Sequence, residues 1–231
     1  IISGQEMPVT VVQTDVAVIG GGASGLSLAS RLNRDVIVIE GGGMHHNPER
    51  DARFTFETTG LPMDNSSLRR RLVGGAAALW SGRCAPLDPV DLVAKPWANH
   101  SGWPVTYAEI EPFLDEALGV LGLPSVSTAM GRYATRAGKA LELEPGLEGQ
   151  IWQFVRSERH RGLHLGRHFI EIFRQDGKLL LTESDAVQLV SDGKRVIAVI
   201  CRDRSGRDIT VRANEFVLAC GCIEASRFLL Q

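Results

Sequence analysis

Three glycines and one carboxylate carry the strongest chemical suggestion in this chain. In VIGGGASG, residues 18–25, Gly20, Gly22 and Gly25 have the spacing of a turn that cradles a diphosphate. Gly20 permits the tight turn. Gly22 removes the side chain that would hold a pyrophosphate away, and Gly25 lets a helix pack closely on a strand. Ala23 and Ser24 would open that helix, whose unpaired N–H groups and partial positive charge favour phosphate oxygens. Glu40 lies 20 residues after Gly20. A carboxylate there accepts hydrogen bonds from ribose hydroxyls and repels a 2′-phosphate, which disfavours NADP. The pattern predicts a dinucleotide site and leaves FAD and NAD open.

The other reactive side chains make weaker patterns. His160, His164 and His168 recur every four residues and would share one helix face as metal ligands. Gly162 and Gly166 interrupt that stretch, each costing a helix ~1 kcal/mol, so these read as loop histidines and no metal site is expected. His45 and His46 read as members of a solvated turn, and His100 as ordering the turn before Ser101-Gly-Trp-Pro104. The four cysteines include no C-x-x-C pair. Cys220 and Cys222 read as small buried residues in a tight turn rather than a redox pair. Reduced thiols and a cytoplasmic setting are expected. Trp80, Trp97 and Trp103 could line a site, although large aromatics more often fill cores. Arg69, Arg70 and Arg71 read as a solvated face or a contact to a cofactor diphosphate.

These residues need elements to position them. Asp15 to Ile19 reads as a buried strand, Ala23 to Leu32 as a helix with Leu26, Ala29 and Leu32 on one face, and Asp35 to Glu40 as a second buried strand. Strand, turn, helix and strand make a βαβ unit with parallel strands. Residues 41–70 read as a surface excursion. Residues 72–82, LVGGAAALWSG, are small enough to pack closely on something, and Pro86 to Pro104 is a connection rich in proline and tryptophan. Thr106 and Glu109 form a capping box for a helix to about Leu121, with Ile110, Phe113, Leu114, Ala117 and Leu121 on one face. Short strands are expected at Leu179 to Leu181, Ala186 to Val190, Val196 to Arg202 and Asp208 to Arg212, as a small β-meander inserted in an α/β frame. A further strand, Glu215 to Ala219, leads through a Cys-Gly turn to a helix beginning near Ile223.

Bulk properties bound the function. The chain has 231 residues, 44% hydrophobic and 23% charged, the balance of an ordinary globular protein able to bury a core unaided. A formal charge of −2 gives no electrostatic reason to expect nucleic acid or an anionic membrane as partner. No apolar run approaches the ~18 residues of a membrane span. Met7 is compatible with a start behind leftover residues.

Three blocks of this sequence resemble the glucose–methanol–choline (GMC) oxidoreductases. They are DVAVIGGGASGLSLASRL with VIVIEGGG, then RRRLVGGAAALWSGRCAPLDPVDL followed by HSGWPVTYAEIEPFLDEAL, and finally VRANEFVLACGCIEASRFLL. They run in family order through most of residues 15–230. The middle block is most similar to the bacterial branch related to pyranose oxidases and sugar dehydrogenases. The fold class this implies is α/β, a Rossmann-like FAD-binding domain of parallel sheet and helices with the inserted meander. Its parts would be a βαβ unit over 14–45, a flavin-side loop and helix region over 46–125, the meander over 176–214 and a returning strand and helix over 215–231.

The resemblance also implies chemistry. FAD would be the cofactor, with its pyrophosphate at Gly20, Gly22, Ala23, Ser24 and Gly25 and its adenosine ribose at Glu40. Val73, Gly74 and Gly75 would run beside the flavin, close to Trp80. Ala186, within one residue, would read adenine through backbone groups, and Ala219, Cys220 and Gly221 would flank the nucleotide. Leu79 stands where pyranose oxidases have a flavin-linked histidine, so FAD is expected to be non-covalent. Ala77 or Ala78 stands where the family has a hydroxyl. The implied reaction is oxidation of a CH–OH group of an alcohol or sugar. The family's catalytic histidine lies beyond the third block, so no histidine here is assigned to catalysis. The chain stops about two turns into its last helix, and the C-terminal substrate half is expected elsewhere, with a second polypeptide as one carrier. A non-redox flavin-binding module is the alternative reading, and an NAD-dependent dehydrogenase a weaker third.

Overall fold

The computed structural model describes residues 1–52, 54–64, 68–129, 152–155, 170, 173 and 178–230. They fall into two compact units, Ile1–Trp80 with His164–Gln231, and Ser81–Leu163. His160, His164 and His168 lie outside the described residues.

The first unit is built on a seven-stranded sheet. Its strands are β1 (Ile2–Ser3), β2 (Val11–Ile19), β3 (Val36–Ile39), β6 (Leu179–Thr182), β7 (Ser184–Ser191), β8 (Val196–Asp203) and β9 (Asp208–Leu218), in the order β1-β6-β3-β2-β9-β8-β7. β4 (Arg83–Cys84) and β5 (Gln153–Phe154) pair in the second unit. β2 and β3 are parallel with Val16 opposite Val36 and Ile19 opposite Ile39. Helix α1 (Ala23–Arg31) joins them, the βαβ unit read from the sequence. Every residue of β3 is buried, as expected for a parallel strand covered on both faces. Ala17, Ile19, Ile37 and Ile39 join Leu181, Val199, Cys201 and Phe228 in one apolar cluster. Val16, Val18, Val36 and Val38 alternate to the other face, where Leu26 and Ala29 of α1 are fully buried. Each such aliphatic side chain contributes roughly 1.5–3 kcal/mol on burial.

The meander is present, as β7, β8 and β9 in antiparallel pairing, but it continues the main sheet. Leu179–Thr182 is not one of its strands. It pairs parallel with β3, a distinction that a short apolar run cannot reveal by periodicity. The two strands expected at Asp208 to Arg212 and Glu215 to Ala219 form one strand parallel to β2, whose start moves back to Val11. The polar interruption there is absorbed between strands, where Asn214 Nδ2 donates to Asp15 Oδ1 at 3.3 Å. Residues before Met7 belong to the fold: Ile2 and Ser3 pair with Leu181 and Thr182, and Met7 is buried. Residues 41–70 are not wholly a surface excursion. They contain helix α2 (Pro48–Ala52) with a buried Arg50, because this segment closes one wall of the site described below.

In the second unit, α3 (Pro89–Leu92) and α4 (Tyr107–Val120) both start at capping boxes, on Asp88 and Thr106. Thr106 N donates to Glu109 Oε2 at 2.7 Å. The buried position on α4 is Leu118, and Phe113 is exposed. The stripe therefore follows Ile110, Leu114 and Leu118, one helical turn apart, rather than the broader face expected. Trp97 and Trp103 are 82% and 65% exposed, so neither fills a core. The turn before Trp103 has His100 at φ 57 and is tied by Ser101, whose hydroxyl donates to Ala98 O at 2.7 Å. Among the described residues no helix is long and apolar enough to cross a membrane.

Candidate functional site

The glycine turn has the shape its spacing predicts. Gly20 has φ +114, and a Cβ there would lie 2.5 Å from the Ala219 carbonyl oxygen. A Cβ on Gly25 would collide with the Gly20 carbonyl, so α1 sits directly on the turn. Gly22 differs from both. Its φ is −80, it caps α1, and a Cβ there would meet nothing within 4 Å. Its bare side opens on a cavity. Gly74 bridges to Gly22, and its N–H donates to Gly21 O at 2.7 Å. This brings the second glycine-rich segment against the first.

Glu40 directly follows β3, and its side chain is buried. Oε2 accepts from Gly21 N at 2.9 Å and Oε1 from Gly42 N at 2.6 Å. Burial pushes this carboxyl above the ordinary carboxylate range; the two backbone N–H groups and Arg71 oppose that push. Gly21, which the spacing of the motif does not single out, thus links the glycine turn to Glu40.

These parts line one cavity of about 1070 Å³, at the upper end of the ~300–1,000 Å³ usual for ligand pockets. Gly20, Gly22, Ala23, Ser24 and Glu40 form one part of the lining, Gly74 and Gly75 another, Ala186 a third, and Ala219, Cys220 and Gly221 a fourth. Three expected residues are not in the lining. Gly25 packs beneath the turn. Val73 is fully buried, and its N–H donates to Gly43 O at 3.0 Å. Trp80 caps the C-terminal end of the short 3₁₀ turn Gly75–Leu79. Beside Ala186, Val187 also lines the cavity, and the ladder to β8 shifts register there. Cys222 lines it as well and is exposed, not buried as expected. Cys220 is half-buried, so neither cysteine of the turn is buried as expected; the buried thiol is Cys201, pushed up to about 12 chiefly by burial.

Charged side chains surround the site. The three consecutive arginines each reach a different element: Arg69 pairs with Glu224 on helix α5 (Cys222–Leu229), Arg70 with Asp51 on α2 at 3.3 Å, and Arg71 with Asp185 on β7. They are thus built into the wall rather than forming a solvated face. Arg71 also stacks on Phe54, 3.4 Å from the ring centroid. His46 is half-exposed and pairs with Asp51 at 2.7 Å. A local pattern rule could not find these acids, because they come from distant elements.

The residues present fit a dinucleotide. An open helix N-terminus, a bare glycine facing the cavity and a buried acceptor carboxylate are the features that a pyrophosphate and a ribose require. The guanidinium Nε of Arg71 is buried without a hydrogen-bond partner, which leaves donor capacity at the same wall.

Comparison with known proteins agrees with this geometry. The profile of the DAO family, FAD dependent oxidoreductase, matches residues 15–229. The chain is 29% identical to paromamine 6′-oxidase of Streptomyces fradiae, over 94% of this chain and 49% of that protein. Its fold is similar to pyridoxine 4-oxidase from Mesorbium loti, with TM-score 0.60 and 21% identity over 91% of this chain and 50% of that one. It is also similar to formate oxidase from Aspergillus oryzae, with TM-score 0.63 and 15% identity over 96% and 48%. The chain spans about half the length of these relatives. They bear out the resemblance to the GMC oxidoreductases. With residues 15–229 matched and the dinucleotide cavity built on the same stretch, the chain belongs to the FAD dependent oxidoreductase family.

Proposed function

We propose that this chain is the FAD-binding part of an oxidoreductase that oxidises a CH–OH group of an alcohol or sugar. The observation that carries the reading is the convergence on one cavity of the α1 N-terminus, the bare Gly22 and the buried Glu40. The α1 N-terminus would hold the pyrophosphate, with Gly20, Gly22, Ala23 and Ser24 supplying backbone rather than bulk. Glu40 would accept from the adenosine ribose, and Ala186 with Val187 would face the adenine. Gly74 and Gly75 would lie beside the flavin, backed by the buried Val73, and Gly25 would support the Gly20 turn from beneath. When bound, the flavin supplies the two-electron acceptor that none of the protein side chains provides.

The likeness to paromamine 6′-oxidase supports a sugar or alcohol donor. The proton-accepting group is proposed to lie in the part of the relatives' length not matched here, on the same polypeptide or on a second one. Leu79 precedes Trp80 and cannot form a bond to flavin, so the cofactor is proposed to be held non-covalently. The test is to purify the protein, denature it and separate small molecules from polypeptide. Stoichiometric free FAD supports the reading, and NAD in its place, or no nucleotide with no binding on titration, refutes it. A second reading, flavin binding without turnover, is favoured by Ala76 and Ala77, which line the cavity without a hydroxyl. Bleaching of bound flavin by an alcohol or sugar would exclude it.

A further inference from the structure

The glycines that follow Glu40 have a role outside the phosphate turn. A Cβ on Gly41 would collide with Nη2 of Arg71 and with Oδ1 of Asp185. A Cβ on Gly42 would collide with the Arg71 carbonyl. The loop after β3 is thus bare where Arg71 passes. Arg71 is in turn fixed from several sides. Its backbone N–H donates to Asp51 Oδ1 at 2.9 Å, its guanidinium stacks on Phe54, and Asp185 accepts from Nη2. Asp185 is thus paired with the Arg71 cation, while Glu40, bonded to Gly21 and Gly42, feels the same charge across the bare Gly41–Gly42 loop.

We propose that Arg71 is a positioning residue for the adenosine end of the cofactor: it holds Glu40 and Asp185 together as a pair of acceptors for the ribose hydroxyls. The proposal rests on the reading that FAD occupies this cavity. A ribose offers two adjacent O–H donors, and two ionised carboxylates are a matching acceptor-only pair. Placed alone in a shielded cavity they would repel each other, and one would keep its proton. The Arg71 charge, paired with Asp185 and felt by Glu40, offsets that conflict. The structure is consistent with this division: burial raises both carboxyls, and Arg71 lowers both. Asp185 also feels Glu224 and Arg227 from α5, and Glu183, paired with Arg50 and Arg204, stands beyond Gly43.

The experiment strips the purified protein of flavin and titrates it with FAD, and separately with FMN, from about pH 5 to pH 8. The variants are Arg71→Met, Arg71→Lys and Arg71→Met with Asp185→Asn. Arg71→Met is expected to weaken FAD about tenfold near neutrality, an ordinary consequence of removing a buried charge partner. The loss should grow as pH falls, because without Arg71 the carboxyls take up protons at a higher pH than in the wild type, while FMN affinity stays unchanged. Arg71→Lys should restore most of the affinity. The double variant should regain the wild-type pH profile, since Glu40 no longer has a like-charged neighbour. Parallel FAD curves against pH for wild type and Arg71→Met, or equal losses for FAD and FMN, would overturn the proposal. Failure of the wild-type protein to bind FAD would instead refute the reading on which it rests.

Discussion

Two walls of the cavity solve different problems. At one, the buried Glu40 lies in the field of a half-buried ion pair, Arg71 with Asp185. At the other, Gly74, Gly75, Ala76 and Ala77 present almost no side chain, and Gly74 is hydrogen-bonded to the phosphate turn. The first wall is specified by electrostatics, so it depends on protonation and on a partner more than a hundred residues away. The second is specified by sterics, so it depends on what is missing. The phosphate turn between them combines both: Gly20 and Gly25 are needed for closeness, and Gly22 for open space.

The largest effect should come from breaking the steric frame. Gly25→Val puts a branched side chain into the Gly20 carbonyl, and backbone cannot yield as a side-chain tip can. A loss of about 3 kcal/mol or more is expected, read as a fall in thermal midpoint whether or not FAD is present. Gly22→Val is the contrasting experiment. With φ −80 and nothing within 4 Å of a Cβ, stability without cofactor should fall by no more than about 1 kcal/mol, the cost of a poorer cap on α1. FAD affinity should fall by at least about tenfold as the side chain enters the phosphate space. If the two variants behaved alike in stability, the distinction between packing and open glycines would be wrong.

Glu40→Gln tests the electrostatic wall with an intermediate effect. Glutamine can accept from only one of Gly21 N and Gly42 N and points its amide N–H₂ at the other, an unpaired buried donor costing about 1–3 kcal/mol. The sign of the pH dependence follows from the raised carboxyl of the folded state. Its favourable contribution is complete below the ordinary value of 4.5 and is lost as pH rises through the higher folded value. The variant should flatten stability against pH in that window, measured by urea unfolding at several pH values. Ribose hydroxyls favour the ionised form, so FAD affinity of the wild type should rise with pH over the same window. A flat affinity profile would count against Glu40 as the ribose acceptor.

What can be read from sequence follows the same division. Gly20, Gly22, Gly25 and Glu40 sit within one βαβ unit, and local spacing alone locates the turn, the helix and both strands. The steric wall is also legible, because a run such as GGAAA has few uses other than close approach. The electrostatic wall is not. Asp185 and Glu224 reach the cavity from β7 and α5, and no local rule links them to Arg69 and Arg71. Trp80 is outside the cavity lining, at the C-terminal cap of the 3₁₀ turn that carries Gly75, Ala76 and Ala77 into it. Leu179–Thr182 reads as a meander strand because its partner, β3, lies about 140 residues earlier and its own pattern carries no direction.

The smallest effect expected is that of Ala77→Ser, which adds one hydroxyl to the steric wall. Ala77 lines the cavity within the 3₁₀ turn, and its side chain is partly open. A hydroxyl there can reach water or a ligand, so no polar group is left buried and stability should stay within about 0.5 kcal/mol. FAD affinity should change by less than about threefold, because a neutral hydrogen bond exchanged with water contributes little net. The sensitive readout is the absorption spectrum of bound flavin, which responds to a new hydrogen bond near the ring. A shift with unchanged affinity would place Ala77 beside the isoalloxazine. An unchanged spectrum would move the flavin toward Gly74 and Gly75, and the steric wall would then be narrower than the four residues that define it here.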